Sequence, residues 1–186
     1  MTNDEIVVAV IDALNELGVP YMLTGSLASN VWGIARSTAD ADFVVQSRSL
    51  DLRALAERLG PDFRLDPQVS FETVTGTNRH VVRARGRRFR VELFLLSNDP
   101  HDVARFGRRQ PVRVLGHEMY LPTAEDVVIS KLRWSQQGKR AKDLADARNV
   151  IAVQGDRLDW DYLRDWCRRQ GTEALLDDAR RSIPPL

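Results

Sequence analysis

The residues best suited to chemistry in this 186-residue chain lie between Tyr21 and Val45. Gly25 and Ser26 follow a short apolar run, Tyr21-Met-Leu-Thr24, and Asp40 and Asp42 lead into a second one, Phe43-Val-Val45. On a strand, residues i and i+2 share a face and lie about 6.5 to 7 Å apart along the chain. Asp40 and Asp42 would then present two carboxylates side by side. Magnesium takes oxygen ligands in near-octahedral geometry, usually one or two carboxylates with substrate phosphates and waters. Two such ions, about 3.5 to 4 Å apart, steady both the attacking and the leaving oxygen of an in-line phosphoryl displacement. The Gly25-Ser26 pair would open a helix, whose first amides point outward and attract phosphate. Gly25 would let the backbone approach an anion with no Cβ in the way. The Ser26 hydroxyl can donate to a phosphate oxygen or cap the helix.

Taken with Gly33, Arg36 and Thr38, this layout resembles the DNA polymerase β-type nucleotidyltransferase superfamily. The signature there is a Gly-Gly or Gly-Ser pair followed by acidic-x-acidic within apolar residues. Inside the superfamily, the Arg36-x-Thr38-x-Asp40-x-Asp42 run is similar to small bacterial AbiEii-like and MenT-like nucleotidyltransferases, many of them toxins of toxin–antitoxin pairs. The resemblance covers the first half of the chain well and the second half more loosely. It implies magnesium-dependent transfer of an NMP group from an NTP to an acceptor, with two Mg2+ ions and a third carboxylate on a neighbouring strand.

By that resemblance the third acid is Glu92 in Phe89-Arg-Val-Glu-Leu-Phe-Leu-Leu96, which would ligate a metal and deprotonate the acceptor hydroxyl. The family more often has Asp there. A lone acid in an apolar strand also calls for a partner on its own account, because an unpaired buried carboxylate is costly. An edge-strand glutamate facing solvent is the alternative. The resemblance further implies a lysine on the helix after the sheet and a Lys-Asp pair on the next helix, positions filled by Lys131 and by Lys142-Asp143. Lys131 would contact the triphosphate, and Asp143 would position Lys131 or the nucleotide, with Lys142 nearby. An exposed helix face with an ion pair explains Lys142 and Asp143 equally. Arg36 suits a phosphate or acceptor contact, and Thr38 suits a brace for the turn before Asp40.

The acceptor stays open at this level. The toxin branch implies tRNA, and with it an antitoxin protein as partner. Aminoglycoside nucleotidyltransferases of similar length imply a small molecule instead. A non-catalytic module using the same pocket for sensing is a third reading, against which the retention of all three acids speaks.

The elements around these residues follow from periodicity. Asn3 to Leu17 repeats Ile6, Val7, Val10, Ile11 and Leu14 at helical spacing and stops at Gly18 before Pro20. Strands are expected at Tyr21–Thr24, at Asp40–Val45, near Phe63, at 79–85 and at 88–96. Helices are expected at Ser26–Trp32 and 49–59. Residues 112–115 and 119–121 read as a small hairpin about Gly116-His117. From Pro122 the period turns helical, with segments to about Gln136, 140–153, 160–169 and 172–182, the first opened by the Thr123-Ala-Glu-Asp126 cap. The expected fold is α+β: a twisted mixed sheet of the nucleotidyltransferase type, flanked by helices, as a catalytic core over residues 1–121. A helical part, residues 122–186, would close one wall of the cleft.

Composition bounds the setting. Formal net charge is +1, so the whole molecule is no generic polyanion binder, yet Arg83, Arg85, Arg87, Arg88 and Arg90 cluster about Gly86. Such a basic hairpin suits a triphosphate or a nucleic-acid backbone, or is simply solvated. The only lysines are Lys131, Lys139 and Lys142. The single cysteine, Cys167, excludes an internal disulfide and fits a reducing compartment. The acidic start and the lack of a long apolar run lead to the expectation of a cytoplasmic protein without a membrane span. His80, His101 and His117 lack zinc spacing and read as turn or sheet residues.

Overall fold

The computed structural model describes residues 1–114 and 116–183. Leu115 of the expected hairpin and the last three residues of the expected 122–186 segment lie outside them. The chain forms two compact units, one made of Met1–Thr24 and Thr38–Leu121, the other of Gly25–Ser37 and the chain from Pro122 onward.

In the first unit, α1 (Asn3–Glu16) starts on a reciprocal capping box between Thr2 and Glu5 and buries Ile6, Val7, Val10, Ile11 and Leu14. The strands are β1 (Tyr21–Thr24), β2 (Asp40–Val45), β3 (Phe63–Leu65), β4 (Ser70–Glu72), β5 (Thr77–Ala84) and β6 (Arg90–Leu95). They form one sheet in the order β1-β2-β6-β5-β3, with β4 also paired to β5. The sheet is mixed: β2 and β6 run parallel, and the other pairs are antiparallel.

Alternation along the central strands separates two faces. Ala41, Phe43, Val45, Val91 and Leu93 are fully buried on one. The other carries Asp40, Asp42, Arg90 and Glu92 toward one end of the strands. At its far end Met22, Val44, Phe94 and Leu96 pack with Phe106. A central strand pair that is apolar on one face and acidic at one end of the other is flanked by β1 and β5.

Phe106 belongs to α4 (Pro100–Gly107), a helix not expected from the periodicity. Its start was nonetheless written in the chain: Asp99 caps the amides of His101 and Asp102, and Pro100 occupies the first turn, where its missing N–H costs nothing. The three-residue β4 was likewise not expected. Helix α3 (Leu52–Leu59) begins three residues later than its expected start at 49, because the Asp51 carboxylate takes the amides of Arg53 and Ala54 and so fixes the N-cap. Strands β7 (Gln110–Val114) and β8 (His117–Leu121) form the hairpin. His80 lies in β5 and His117 in β8, whereas His101 is a buried residue of α4, not a turn or sheet residue.

The second unit gathers α2 (Gly25–Trp32), α5 (Ala124–Gly138), α6 (Ala141–Gln154), α7 (Trp160–Gln170) and α8 (Glu173–Arg181). Thr123 caps α5 and Asp159 caps α7 through their side chains. Helix α2 is fastened to this set at its C-terminal end. The Trp32 indole donates to the Pro122 carbonyl at 2.9 Å, and Gln154 Nε2 donates to the Trp32 carbonyl at 2.6 Å. Gly33 lies so close to α6 that a Cβ there would stand 2.9 Å from the Val150 nitrogen. Among the described residues no helix is long and apolar enough to cross a membrane.

Candidate functional site

The parallel register of β2 and β6 decides the geometry of the acids. Asp42 stands directly opposite Glu92, and Asp40 opposite Arg90, with strands about 4.8 Å apart. Asp40, Asp42 and Glu92 thus share one face and one end of the sheet. Asp40 and Asp42 are partly exposed, and Glu92 is buried. Thr38 Oγ1 lies 3.1 Å from both the main-chain oxygen and Oδ1 of Asp40, bracing the entry to β2.

Two arginines meet these acids. Arg79 of β5 donates from Nη1 to Glu92 Oε2 at 2.7 Å and from Nε to Ser70 Oγ at 2.9 Å. Arg90 reaches Asp40 Oδ2 at 3.3 Å through Nη2, and its Nε lies 2.9 Å from Glu92 Oε1. Glu92 therefore has the counter-charge that its burial demands. The acids have the donor chemistry of a hard divalent cation, all of it carboxylate oxygen. The Arg90 guanidinium lies between Asp40 and Glu92, and among the described residues no three His, Cys, Asp or Glu groups gather into a metal-holding set.

Beyond Arg90 the same face continues in one sign. Arg83 of β5 is paired opposite Arg90, and Arg64 of β3 opposite Arg83. The row Asp40, Arg90, Arg83, Arg64 crosses four neighbouring strands. Arg64 is exposed, and Arg83 is balanced in part by Asp66 at 3.5 Å. Like charges directly opposite each other destabilise an antiparallel pair, so this row is held against a cost.

The second unit holds a cluster of its own. Gly25 opens α2 at φ 63°, a left-handed conformation that glycine adopts without a Cβ clash. Ser26 is buried, and its Oγ accepts from Arg36 Nη2 at 2.9 Å. Arg36 also grips Asp146 bidentately, Nε to Oδ1 and Nη2 to Oδ2, each 2.7 Å. Lys131, 7% exposed, places Nζ 2.8 Å from both Asp143 Oδ1 and Asp146 Oδ2. Arg140 Nε adds a contact to Asp143 Oδ2 at 3.0 Å. Burial alone would raise the pKa of Asp146, but the hydrogen bonds and charges of Arg36 and Lys131 hold it below the ordinary carboxylate value. Of the residues singled out from sequence, Ser26, Arg36, Lys131 and Asp143 are thus joined in one network, while Lys142 is exposed on α6. Asp146 is its hub. The spacing Lys142-Asp143-x-x-Asp146 already put both acids one helical turn apart, which was the available signal.

A third buried group supports the sheet end of the first unit. Asp102 (2% exposed) receives the Arg105 Nε at 2.7 Å and the Ser97 hydroxyl at 2.8 Å, and Arg105 Nη1 donates to Thr24 Oγ1 at 3.1 Å. Thr24 is the register partner of Asp42. Burial works to raise the Asp102 pKa, yet the Arg105 charge and these hydrogen bonds bring it below the usual value.

No family model matches the sequence, and no curated protein matches it either. Solved structures do. The solution structure of the antibiotic-resistance factor ANT(2'')-Ia matches with a TM-score of 0.60 at 14% identity, covering 95% of this chain and 96% of that one. The crystal structure of ANT(2'')-Ia in complex with adenylyl-2''-tobramycin matches with the same score and identity over 90% of this chain and 97% of that one. An antigenic nucleotidyltransferase-like protein from Paracoccidioides brasiliensis matches with a TM-score of 0.52 at 19% identity over 92% and 91% of the two chains. The chain has the mixed-sheet, helix-flanked fold of these nucleotidyltransferase structures.

Proposed function

We propose that this protein is a magnesium-dependent nucleotidyltransferase that moves an NMP group from an NTP to an anionic macromolecule, with tRNA the foremost candidate. The observation that carries the reading is the parallel register that sets Asp42 opposite Glu92, with Asp40 two residues earlier on the same face. Asp40, Asp42 and Glu92 would hold the divalent ions. An ion so held neutralises charge on the transferring phosphoryl group.

The chain's own groups do the rest. Glu92 takes the proton of the acceptor hydroxyl, the hydroxyl oxygen forms a bond to the α-phosphorus, and the bond to the β-phosphate oxygen breaks to release pyrophosphate. Catalysis of this kind rests on positioning and charge compensation. Gly25, Ser26, Arg36, Lys131, Lys142 and Asp143 are assigned to the nucleotide. Within that set, Arg36 offers the direct contact, since its side chain is 33% exposed, and Ser26 steadies it through Oγ. Lys131, held by Asp143, acts through Asp146, which fixes the Arg36 guanidinium at two points.

The acceptor is read from charge. The Arg90, Arg83 and Arg64 row leads away from Asp40 along the sheet, and an anionic acceptor would offset the repulsion within it. A polycationic aminoglycoside would meet that row as like charge. The fold shared with ANT(2'')-Ia at 14% identity carries no acceptor with it. Substrates of this kind imply a cytoplasmic protein.

The test is incubation with each α-labelled NTP, Mg2+ and a panel of tRNA, protein and aminoglycoside acceptors. Label on tRNA, abolished by EDTA and by Asp42→Asn, is expected. Label on no acceptor, or equal labelling by the Asp42→Asn protein, overturns the enzymatic reading. Label confined to aminoglycosides overturns the acceptor assignment alone.

A further inference from the structure

The two arginines on the acidic face are held in different ways. Arg79 is tied at three points: Nη1 to Glu92 Oε2 at 2.7 Å, Nε to Ser70 Oγ at 2.9 Å, and the guanidinium over the Phe94 ring at 6.0 Å from its centroid. Arg90 spans two acids and is looser. Its Nη2 bond to Asp40 is 3.3 Å long, and its buried Nε, although 2.9 Å from Glu92 Oε1, finds no acceptor in hydrogen-bond alignment. The Glu92 contact is one of charge without directional bonding. The Arg90 guanidinium thus stands where a cation shared by Asp40 and Glu92 would stand, drawn by the same attraction.

We propose that Arg90 is a displaceable counter-cation, which keeps Asp40 and Glu92 compensated when no divalent ion is bound and yields its place when one binds. The proposal rests on the metal-dependent reading above. Two cations cannot share one small set of carboxylate oxygens, so occupancy by the ion and the Arg90 contact exclude each other. Once released, Arg90 remains opposite Arg83, which is opposite Arg64. Its charge is transferred from the acids to the row assigned to the acceptor. Divalent loading therefore strengthens acceptor binding, and acceptor binding strengthens divalent loading by the same factor, because coupling between two ligands is reciprocal.

Mn2+, which takes the same oxygen donors, is titrated without nucleotide into wild type, Arg90→Gln and Arg83→Gln, and the free ion is followed by its electron paramagnetic resonance signal. Arg90→Gln is expected to bind Mn2+ between about twofold and tenfold more tightly than wild type. Arg83→Gln loses the same charge one strand further from the acids and is expected to change little. Unchanged or weaker binding in Arg90→Gln overturns the proposal, as does equal tightening in both variants, which would reduce the effect to long-range charge. A second measurement needs no variant: in wild type, Mg2+ titration is expected to move the Arg90 Nε–Hε resonance and leave that of Arg79 in place. Movement of both or of neither overturns the proposal. If wild type binds no Mn2+ even with NTP, the transferase reading falls with it. If wild type binds Mn2+ and the two variants behave alike, only the role of Arg90 falls.

Discussion

At the scale of the residue, compensation decides which buried charges this chain can keep. Asp102 and Arg105 illustrate it: both are buried, and they pair with each other. Asp102→Asn keeps the shape and removes one charge of a buried ion pair, so a loss of about 3 to 5 kcal/mol is expected in urea unfolding. The pH dependence follows from the same pairing. The folded pKa of Asp102 and of Asp146 lies below the unfolded value of about 4. The folded protein then releases their protons more readily than the unfolded chain. The stability they contribute is complete above about pH 4 and is lost as pH falls through the lower folded values. Stability should therefore decline on acidification below about pH 4, and the decline should be shallower in Asp102→Asn; an unchanged slope would count against the pair. Glu92 was legible in the sequence as an acid needing a partner, but Arg79 was not legible as that partner, because β5 meets β6 only through antiparallel register.

At the scale of the element, caps were readable and packing partners were not. Thr123 and its acids announced α5, and Asp99-Pro100 announced α4 to a reader looking for a cap rather than a period. By contrast, nothing in Gly25 to Gly33 says that α2 lies against α6. Gly33 records the closeness: a Cβ would press on the Val150 nitrogen and the Asn149 carbonyl carbon, backbone atoms that cannot rotate away. Gly33→Ala is expected to cost about 1 to 3 kcal/mol, measured by thermal unfolding. A variant melting at the wild-type temperature would contradict the close α2–α6 approach. The Arg64, Arg83 and Arg90 row is also an element-level property, since the three residues line up only through two antiparallel pairings. Arg64→Gln with Arg83→Gln is expected to weaken binding of labelled tRNA and to reduce its salt dependence by about two counterions in the slope, while leaving the melting temperature unchanged or higher. An unaltered salt slope would remove the row from the acceptor surface.

At the scale of the whole molecule, the chain divides in a way that cuts through its most informative stretch. Tyr21–Thr24 and Asp40–Val45 belong to the sheet unit, and the segment between them, Gly25–Ser37, belongs with the C-terminal helices. Native-state hydrogen exchange should report this division: amides of α2 are expected to follow the protection of α5 and α6 rather than that of the flanking strands. Exchange of α2 in step with β1 and β2 would contradict it. The sequence by itself determined the local chemistry: two carboxylates on one strand face, a glycine able to open α2 with positive φ, the helix caps, and the mixed composition of strands and helices. These depend on residue type and on spacings within one element, where the periods of strand and helix leave little freedom. Only the tertiary structure decided that Glu92 faces Asp42, that Asp146 joins Lys131 to Arg36, and that Arg90 lies across the acids. Those relations arise from strand register and helix packing between separate segments, up to 110 residues apart, and burial of unlike charges selects them only once the chain has brought the segments together.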